Sequence, residues 1–162
     1  MKRFIKSTIQ FLIKRIIFFA PQKNMSSNLY RIRLFVLAQF QKFMMQRVRM
    51  EAYKGQILKF IAPNYLTDWR AQTFATKEPE TLDWIDSMPD ESVLWDVGAS
   101  VGIYSLYAAQ SQDAKVFAFE PSIFNLELLA RNISYNKLHE KICIVPIALS
   151  NKTSFNTMHM TS

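Results

Sequence analysis

Cysteine and histidine are scarce in this sequence of 162 residues, which has one cysteine and two histidines. A single cysteine excludes an internal disulfide, and no histidine lies at metal-ligand spacing, so no metal site is expected. Cys143 lies in the apolar run Ile142–Ile147, where we expect a buried small hydrophobic side chain. We expect His139 and His159 to be solvated loop residues.

Glycine is also scarce, with three residues, and two of them, Gly98 and Gly102, lie four positions apart. Internal repeats and low-complexity tracts are absent. Hydrophobic residues make up 49% of the chain and charged residues 20%, which is an ordinary globular balance. The length suits one compact domain, and the paired glycines indicate a special backbone conformation between them.

Acidic residues are nearly missing from the first 70 positions, which hold 14 Lys and Arg against only Glu51 and Asp68. Positions 71–162 hold six Lys and Arg against 11 acids, so a basic front precedes an acidic body. No groove-reading or base-stacking motif accompanies the basic residues, so we do not expect a nucleic-acid partner.

An unbroken apolar run is absent from the N-terminal stretch, because Lys14 and Arg15 interrupt it. A spanning helix would need about 20 apolar residues, and no cleavage site of small residues follows. At helical spacing, residues 1–20 present a basic polar stripe opposite an apolar one. Two interpretations stay open: a helix lying on a membrane surface, or one docked on this protein or a second subunit. The first predicts a cytoplasmic protein with peripheral contact at the inner membrane face.

Three regions are predicted along the chain: a basic helical extension over 1–54, a lead-in strand and helix over 55–91, and an α/β domain over 92–162. A second helix is expected from Leu29 to about Tyr53, closed by Gly55. The lead-in is expected to contain a strand over Gln56–Ala62 and a helix that starts at Thr76 as its capping residue and has Pro79 in its first turn.

From Ser92 onward the pattern alternates strand, helix, strand, helix, strand. The strands are continuous apolar runs, which is typical of a sheet covered by helices on both faces. The alternation predicts an α/β fold with a Rossmann-like, doubly wound parallel sheet. The predicted elements are Ser92–Val97, Gly102–Ser111, Lys115–Phe119, Phe124–Asn136 and Ile142–Ile147.

The turn after the first of these strands predicts a ligand site. Gly98 allows a tight turn and leaves room for a ligand against the main chain, while Gly102 allows close packing at the start of the helix. The small residues Ala99 and Ser100 keep the approach clear. The N–H groups of the helix's first turn are expected to face the crevice.

The second strand ends at Glu120, which lies 22 residues after Gly98. An acid at this place can accept both ribose hydroxyls of an adenosine-containing ligand. Dinucleotide sites use G-x-G-x-x-G, whereas this chain has G-x-x-x-G preceded by Asp96. An anion there suits a ligand with an ammonium group and opposes a pyrophosphate, so the pattern favours S-adenosylmethionine over a nicotinamide dinucleotide.

These motifs resemble the FkbM family of S-adenosylmethionine-dependent methyltransferases over roughly residues 56–162. The matching segments are DVGASVGIYS (96–105), AFEP (118–121), NLELLARN (125–132) and IVPIALS (144–150). The resemblance implies O-methylation of a sugar, glycan or other small hydroxylated metabolite. It also implies that Asp96, Gly98, Ala99 and Gly102 hold the methionine end and that Glu120 holds the ribose. The turn from Ala148 to Ser150 would lie near the adenine.

Two departures from the family pattern accompany the resemblance. Ser100 stands where the family often has Asn. The sequence also stops after the third strand of a sheet that has seven in the family, so we expect a fragment with an exposed apolar edge. No catalytic base is identified, and we expect it beyond Ser162. The alternatives are an NAD-dependent oxidoreductase and a non-catalytic membrane- or partner-binding module.

Overall fold

The computed structural model describes residues 27–152 and residue 154. The chain divides into two compact units, residues 1–47 and residues 48–162. In the first unit, helix α1 spans Ser27–Met45. No described helix is long and apolar enough to cross a membrane. The amphipathic helix predicted within residues 1–20 and the predicted loop position of His159 lie outside the described residues.

The second unit contains an antiparallel hairpin, several short helices and a parallel sheet. Its strands are β1 (Val48–Tyr53), β2 (Gln56–Ile61), β3 (Val93–Val97), β4 (Lys115–Phe119) and β5 (Ile142–Val145). Its helices are α2 (Tyr65–Gln72), α3 (Phe74–Lys77), α4 (Pro79–Asp86), α5 (Ile103–Ser111) and α6 (Ile123–Asn136).

The β1–β2 hairpin replaces the end of a predicted helix. The helix expected to reach Tyr53 ends at Met45, and β1 pairs antiparallel with β2. Lys54 and Gly55 have φ of 44° and 83°, and two such residues form the tight turn that matches the twist of paired strands. Gly55 therefore turns a hairpin instead of ending a helix, and the hairpin crosses the expected boundary between residues 54 and 55.

Helix α2 was not predicted, although its start carries a recognisable signal. The side chain of Asn64 accepts a hydrogen bond from the N–H of Thr67 at 3.0 Å, and the hydroxyl of Thr67 accepts one from the N–H of Asn64. This reciprocal capping satisfies two N–H groups that have no partner within the helix.

The predicted capping role of Thr76 is wrong. Thr76 lies inside α3, and the residue that precedes α4 is Glu78, with Pro79 at the first helical position. Proline suits that position because its missing N–H would have no partner there. Leu82 and Ile85 of α4 are buried in the core, whereas Trp84 is exposed.

The parallel sheet confirms the predicted α/β pattern. Its strand order is β3-β4-β5, both pairs are parallel, and α5 and α6 connect consecutive strands. This βαβαβ unit is half of a doubly wound, Rossmann-like sheet. Within the described residues β3 and β5 are the edge strands of this sheet.

The two faces of this sheet differ in exposure. Leu94, Val116 and Ala118 are buried on the side contacted by α5, so one face forms the core. Large side chains on the opposite face are exposed within the described residues: Val93, Trp95, Val97 and Phe117. The prediction that Cys143 is buried is wrong, because alternation along β5 places it on the exposed face.

Two asparagines of α6 join the hairpin to the parallel sheet. Asn132, fully buried, accepts a hydrogen bond from the N–H of Ile61 at 2.7 Å and donates to the carbonyl of Val101 at 2.8 Å. Asn136, one turn later, bonds both the N–H and the carbonyl of Lys59. The outer edge of β2 is thereby satisfied by amide side chains instead of another strand.

Candidate functional site

The turn between β3 and α5 contains two glycines with the same backbone conformation and different surroundings. Gly98 and Gly102 have φ of 83° and 82°, a region that strongly favours glycine. A Cβ on Gly98 would meet nothing within 4 Å, whereas one on Gly102 would lie 2.3 Å from Cδ1 of Leu129. Gly98 thus borders open space, and Gly102 allows α6 to approach closely.

The amide groups of this turn are used within the protein. The N–H groups of Gly98 and Ala99 donate to the carbonyl of Phe119 at 2.9 and 3.0 Å, and that of Gly102 donates to the carbonyl of Ala99 at 2.7 Å. The N–H of Ser100 donates to a carboxylate oxygen of Glu120 at 2.8 Å. A pyrophosphate site needs such N–H groups directed at the ligand, so these four amides do not form one.

Glu120 follows β4 and connects two turns. It is buried, with one oxygen accepting from the N–H of Ser100 and the other from the N–H of Ser122, both at 2.8 Å. An ionised carboxylate has about four acceptor sites, so two further hydrogen bonds can be accepted. The acid expected to bind a ligand is therefore also a structural link between the ends of β3 and β4.

Asp96 lies near the end of β3 and is half-buried. Its carboxylate accepts a hydrogen bond from the hydroxyl of Ser105 at 2.5 Å. Burial raises the pKa of Asp96 above its ordinary value, the charge of Glu120 adds to the increase, and the bonds to Ser105 oppose it. Two carboxylates at neighbouring strand ends form an anionic region that favours a cationic ligand group.

A cleft of about 270 Å³ opens beside these residues. This volume lies just below the range of about 300–1,000 Å³ for small-molecule pockets, so it matches part of a cofactor-sized ligand. The cleft is lined by Arg70, Phe74, Lys77, Glu78, Asp96, Gly98, Ala99, Ser100, Ile103 and Tyr104.

The structure brings together four of the predicted site residues in this cleft: Asp96, Gly98, Ala99 and Ser100. Glu120 joins them through its bond to Ser100, and Gly102 contributes through its contact with Leu129. Ala148 and Ser150 lie in the exposed segment after β5 and do not line the cleft.

The lead-in supplies a wall that sequence reasoning missed. Arg70, in the last turn of α2, donates from Nη1 to the hydroxyl oxygen of Ser100 at 3.0 Å. Lys77 pairs with Glu78 at 3.0 Å, and the hydroxyl of Tyr104 donates to the same carboxylate at 3.0 Å. The capping pattern that starts at Asn64 would have predicted the helix that carries Arg70.

Hydrogen bonds and burial shift the pKa values of two residues on this wall. Hydrogen bonding to Lys77, and then to Tyr104, lowers the pKa of Glu78 below its ordinary value. Burial, reinforced by the bond to Glu78, raises the pKa of Tyr104. Tyr104 therefore stays a hydrogen-bond donor at neutral pH, and Glu78 stays ionised. Within the described residues, no cluster of His, Cys, Asp and Glu side chains could hold a metal ion.

No family model matches this chain, and no curated protein matches it. Among solved structures, it is similar to TYW2 of P. horikoshii in complex with MeSAdo, with a TM-score of 0.47 and 20% identity over 62% of this chain and 36% of that chain. It is also similar to precorrin-6y C5,15-methyltransferase from Geobacter metallireducens, with a TM-score of 0.40 and 22% identity over 48% and 38% of the two chains.

A third similar structure is the tRNA m1G37 methyltransferase of M. jannaschii, with a TM-score of 0.43 and 24% identity over 60% of this chain and 28% of that chain. The chain thus spans about a third of the length of the solved structures it matches. Likenesses of this strength do not establish a shared activity, so the function is inferred from the geometry of this chain.

Proposed function

We propose that this chain is the S-adenosylmethionine-binding part of a methyltransferase. The observation that carries the proposal is the arrangement of Asp96 and Glu120 at adjacent strand ends, around a turn whose amides are already bonded internally. A site of this kind offers carboxylates to ammonium and hydroxyl groups and offers few N–H groups to a phosphate.

The residues present fit the cofactor. Glu120 retains acceptor capacity for the two ribose hydroxyls, Asp96 can accept from the ammonium group, and the space beside Gly98 leaves room for a ligand against the main chain. When bound, the cofactor supplies an activated methyl group. The chain's own contribution is to orient the cofactor and keep its charged end in contact with matching charges. By the family resemblance, Ala148 and Ser150 lie near the adenine.

The proposed acceptor is a hydroxyl group of a sugar, glycan or other small metabolite, as in the FkbM family. The support for this finer assignment is the resemblance of residues 96–105, 118–121, 125–132 and 144–150. Two of these segments have a visible structural role. Residues 96–105 form the turn with its two glycines, and residues 125–132 end in Asn132, which donates a hydrogen bond to the carbonyl of Val101. No residue of this chain is assigned as the base.

Ligand-induced stabilisation tests the cofactor assignment. We expect S-adenosylhomocysteine to raise the thermal midpoint of the chain, because a ligand that binds only the folded state stabilises it. NAD is expected to leave the midpoint unchanged, because its pyrophosphate would face the anion of Asp96 and the N–H groups of the turn are already bonded within the protein. Stabilisation by NAD alone would overturn the assignment in favour of an oxidoreductase.

We also propose that residues 1–20 attach the protein peripherally to anionic membranes at the cytoplasmic face. The support is the basic first 70 residues, which hold 14 Lys and Arg. Each such residue near an anionic surface contributes about 1 kcal/mol, and the attraction weakens with salt. The full chain should co-sediment with phosphatidylserine vesicles at low salt more than a chain lacking residues 1–20. Equal binding to phosphatidylcholine vesicles, unaffected by salt, would contradict this attachment.

A further inference from the structure

The cleft is lined by charges of both signs, the cations Arg70 and Lys77 and the acids Glu78 and Asp96. On the sheet side the anion that lines the cleft is Asp96, near the end of β3, and the buried carboxylate of Glu120 lies behind Ser100. The cationic side, Arg70 and Lys77, belongs to α2 and α3 of the lead-in. Charges of opposite sign around one small cleft are complementary to a zwitterion.

Arg70 is the better placed of the two cations. Arg70 is half-buried, and one N–H group of its guanidinium bonds the hydroxyl of Ser100, next to the open space at Gly98. A guanidinium has five N–H donors, so this single bond leaves most of them available. Lys77, in contrast, is exposed and already forms an ion pair with Glu78.

We infer that Arg70 binds the α-carboxylate of the cofactor's amino-acid end while Asp96 binds its ammonium group. The inference rests on the proposed function and adds to it a residue from outside the Rossmann-like unit. The Ser100 hydroxyl holds the guanidinium at the turn, which reduces the side-chain freedom lost when a planar carboxylate is bound. The cleft volume of about 270 Å³ agrees with a site for the amino-acid moiety.

The assignment also explains why the lead-in has to be fixed to the parallel sheet. Asn132 bonds the main chain of β2 on one side and that of the glycine turn on the other. Helix α2, which carries Arg70, contacts β2, so these buried hydrogen bonds help to fix the position of Arg70 relative to Asp96.

The test compares three ligands by calorimetric titration of the full chain: S-adenosylhomocysteine, its decarboxylated analogue S-adenosyl-3-thiopropylamine, and methylthioadenosine, which lacks the amino-acid end. For the unaltered protein, we expect S-adenosylhomocysteine to bind about ten-fold or more tightly than the decarboxylated analogue, as for one charge-assisted bidentate contact. Equal affinities would overturn the role of Arg70 without requiring any variant.

Arg70→Gln should weaken S-adenosylhomocysteine binding about ten-fold and leave the affinities for the other two ligands within about two-fold. Arg70→Lys should recover part of the loss. Arg131→Gln, at an exposed pair with Glu127 on α6, is the matched control and should change nothing.

An equal loss for all three ligands would mean that Arg70 only supports the turn, and no loss would mean that Arg70 does not bind the carboxylate. If the unaltered protein binds methylthioadenosine but shows no preference for the carboxylate, this inference fails alone. If it binds none of the three ligands, the proposed function fails as well.

Discussion

The lead-in, which in the structure begins with β1 and covers residues 48–91, and the parallel sheet over residues 92–145 contribute to the same cleft by different means. The sheet contributes its backbone, as two strand ends and a turn with two glycines at positive φ, together with the carboxylates of Asp96 and Glu120 at those strand ends. The lead-in contributes side chains, above all Arg70, carried on a short helix. The parts of a site that the backbone determines are therefore local in sequence, whereas the side chains that face them depend on long-range packing.

The largest expected effect is the loss of the connection between these two regions. Asn132→Leu preserves side-chain size but leaves the N–H of Ile61 and the carbonyl of Val101 without partners in the core. We expect a loss of about 2–5 kcal/mol in the free energy of unfolding, since each buried polar group left unsatisfied costs about 1–3 kcal/mol. Urea unfolding followed by circular dichroism measures it.

Asn136→Leu is the matched control for that change, because it removes two bonds to Lys59 at the exposed part of the same edge. Water can replace those bonds, so the cost should stay near about 1 kcal/mol. Equal costs at the two asparagines would show that Asn132 does not connect the regions in the manner described.

The next effect separates the two glycines of the turn. Gly102→Ala places a methyl group against Leu129 in a left-handed conformation and should cost about 2–4 kcal/mol of stability. Gly98→Ala has the same φ without a contact, so only the conformational cost of about 1–2 kcal/mol is expected. Thermal unfolding gives both values.

The loss of cofactor affinity should be larger for Gly98→Ala than for Gly102→Ala, because Gly98 lines the cleft and Gly102 does not. Titration of each folded variant with S-adenosylhomocysteine checks this. A Gly98→Ala protein that binds as tightly as the unaltered one would contradict the placement of the ligand beside Gly98.

A smaller effect concerns the carboxylate between the two turns. Glu120→Gln keeps the shape but replaces one acceptor oxygen by an amide donor, so the N–H of Ser100 and that of Ser122 can no longer both be satisfied. We expect a ten-fold or greater loss of affinity for S-adenosylhomocysteine, about 1.4 kcal/mol or more, together with reduced stability. Asp113→Asn, in an exposed turn paired with Lys141, is the control and should leave the affinity unchanged.

The smallest effect is the pH dependence due to Asp96. Because its pKa is raised in the folded state, the folded protein holds this proton more strongly, and stability falls as pH rises from the ordinary value of 3.8 through the raised value. Asp96→Asn lacks this contribution, so its stability relative to the unaltered protein should increase from about pH 4 toward neutral pH. Urea midpoints at several pH values measure the difference. A difference that does not change with pH would show that burial does not disfavour the Asp96 anion.

The sequence predicted the parallel sheet well because its signals are local. The apolar runs, the glycines at 98 and 102 and the acid at 120 each lie next to the element they define, and β4 has the predicted bounds. The chain segment from 46 to 53 was predicted as helix because it continues the apolar pattern at helical spacing of the preceding residues, whereas pairing with β2 determines its structure. Cys143 was predicted as buried because an apolar run does not show which face of its strand is covered.

The contact between Arg70 and Ser100 could not be predicted from the sequence, for a related reason. Arg70 and Ser100 are 30 residues apart, and nothing near either residue indicates the other. Their contact depends on the position of β2 against α6, which in turn depends on Asn132. A single asparagine in an otherwise ordinary helix does not indicate such a contact in the sequence.

The link made by Glu120 has a dynamic consequence. One carboxylate holds the amide hydrogens of Ser100 and Ser122, which follow different strands. Opening either turn frees an oxygen of the same group, so exchange of these two hydrogens with solvent should be correlated although they are 22 residues apart. A ligand that draws on the same oxygens would alter both exchange rates together, so a pair of amide signals would report occupancy of the site without any change of fold.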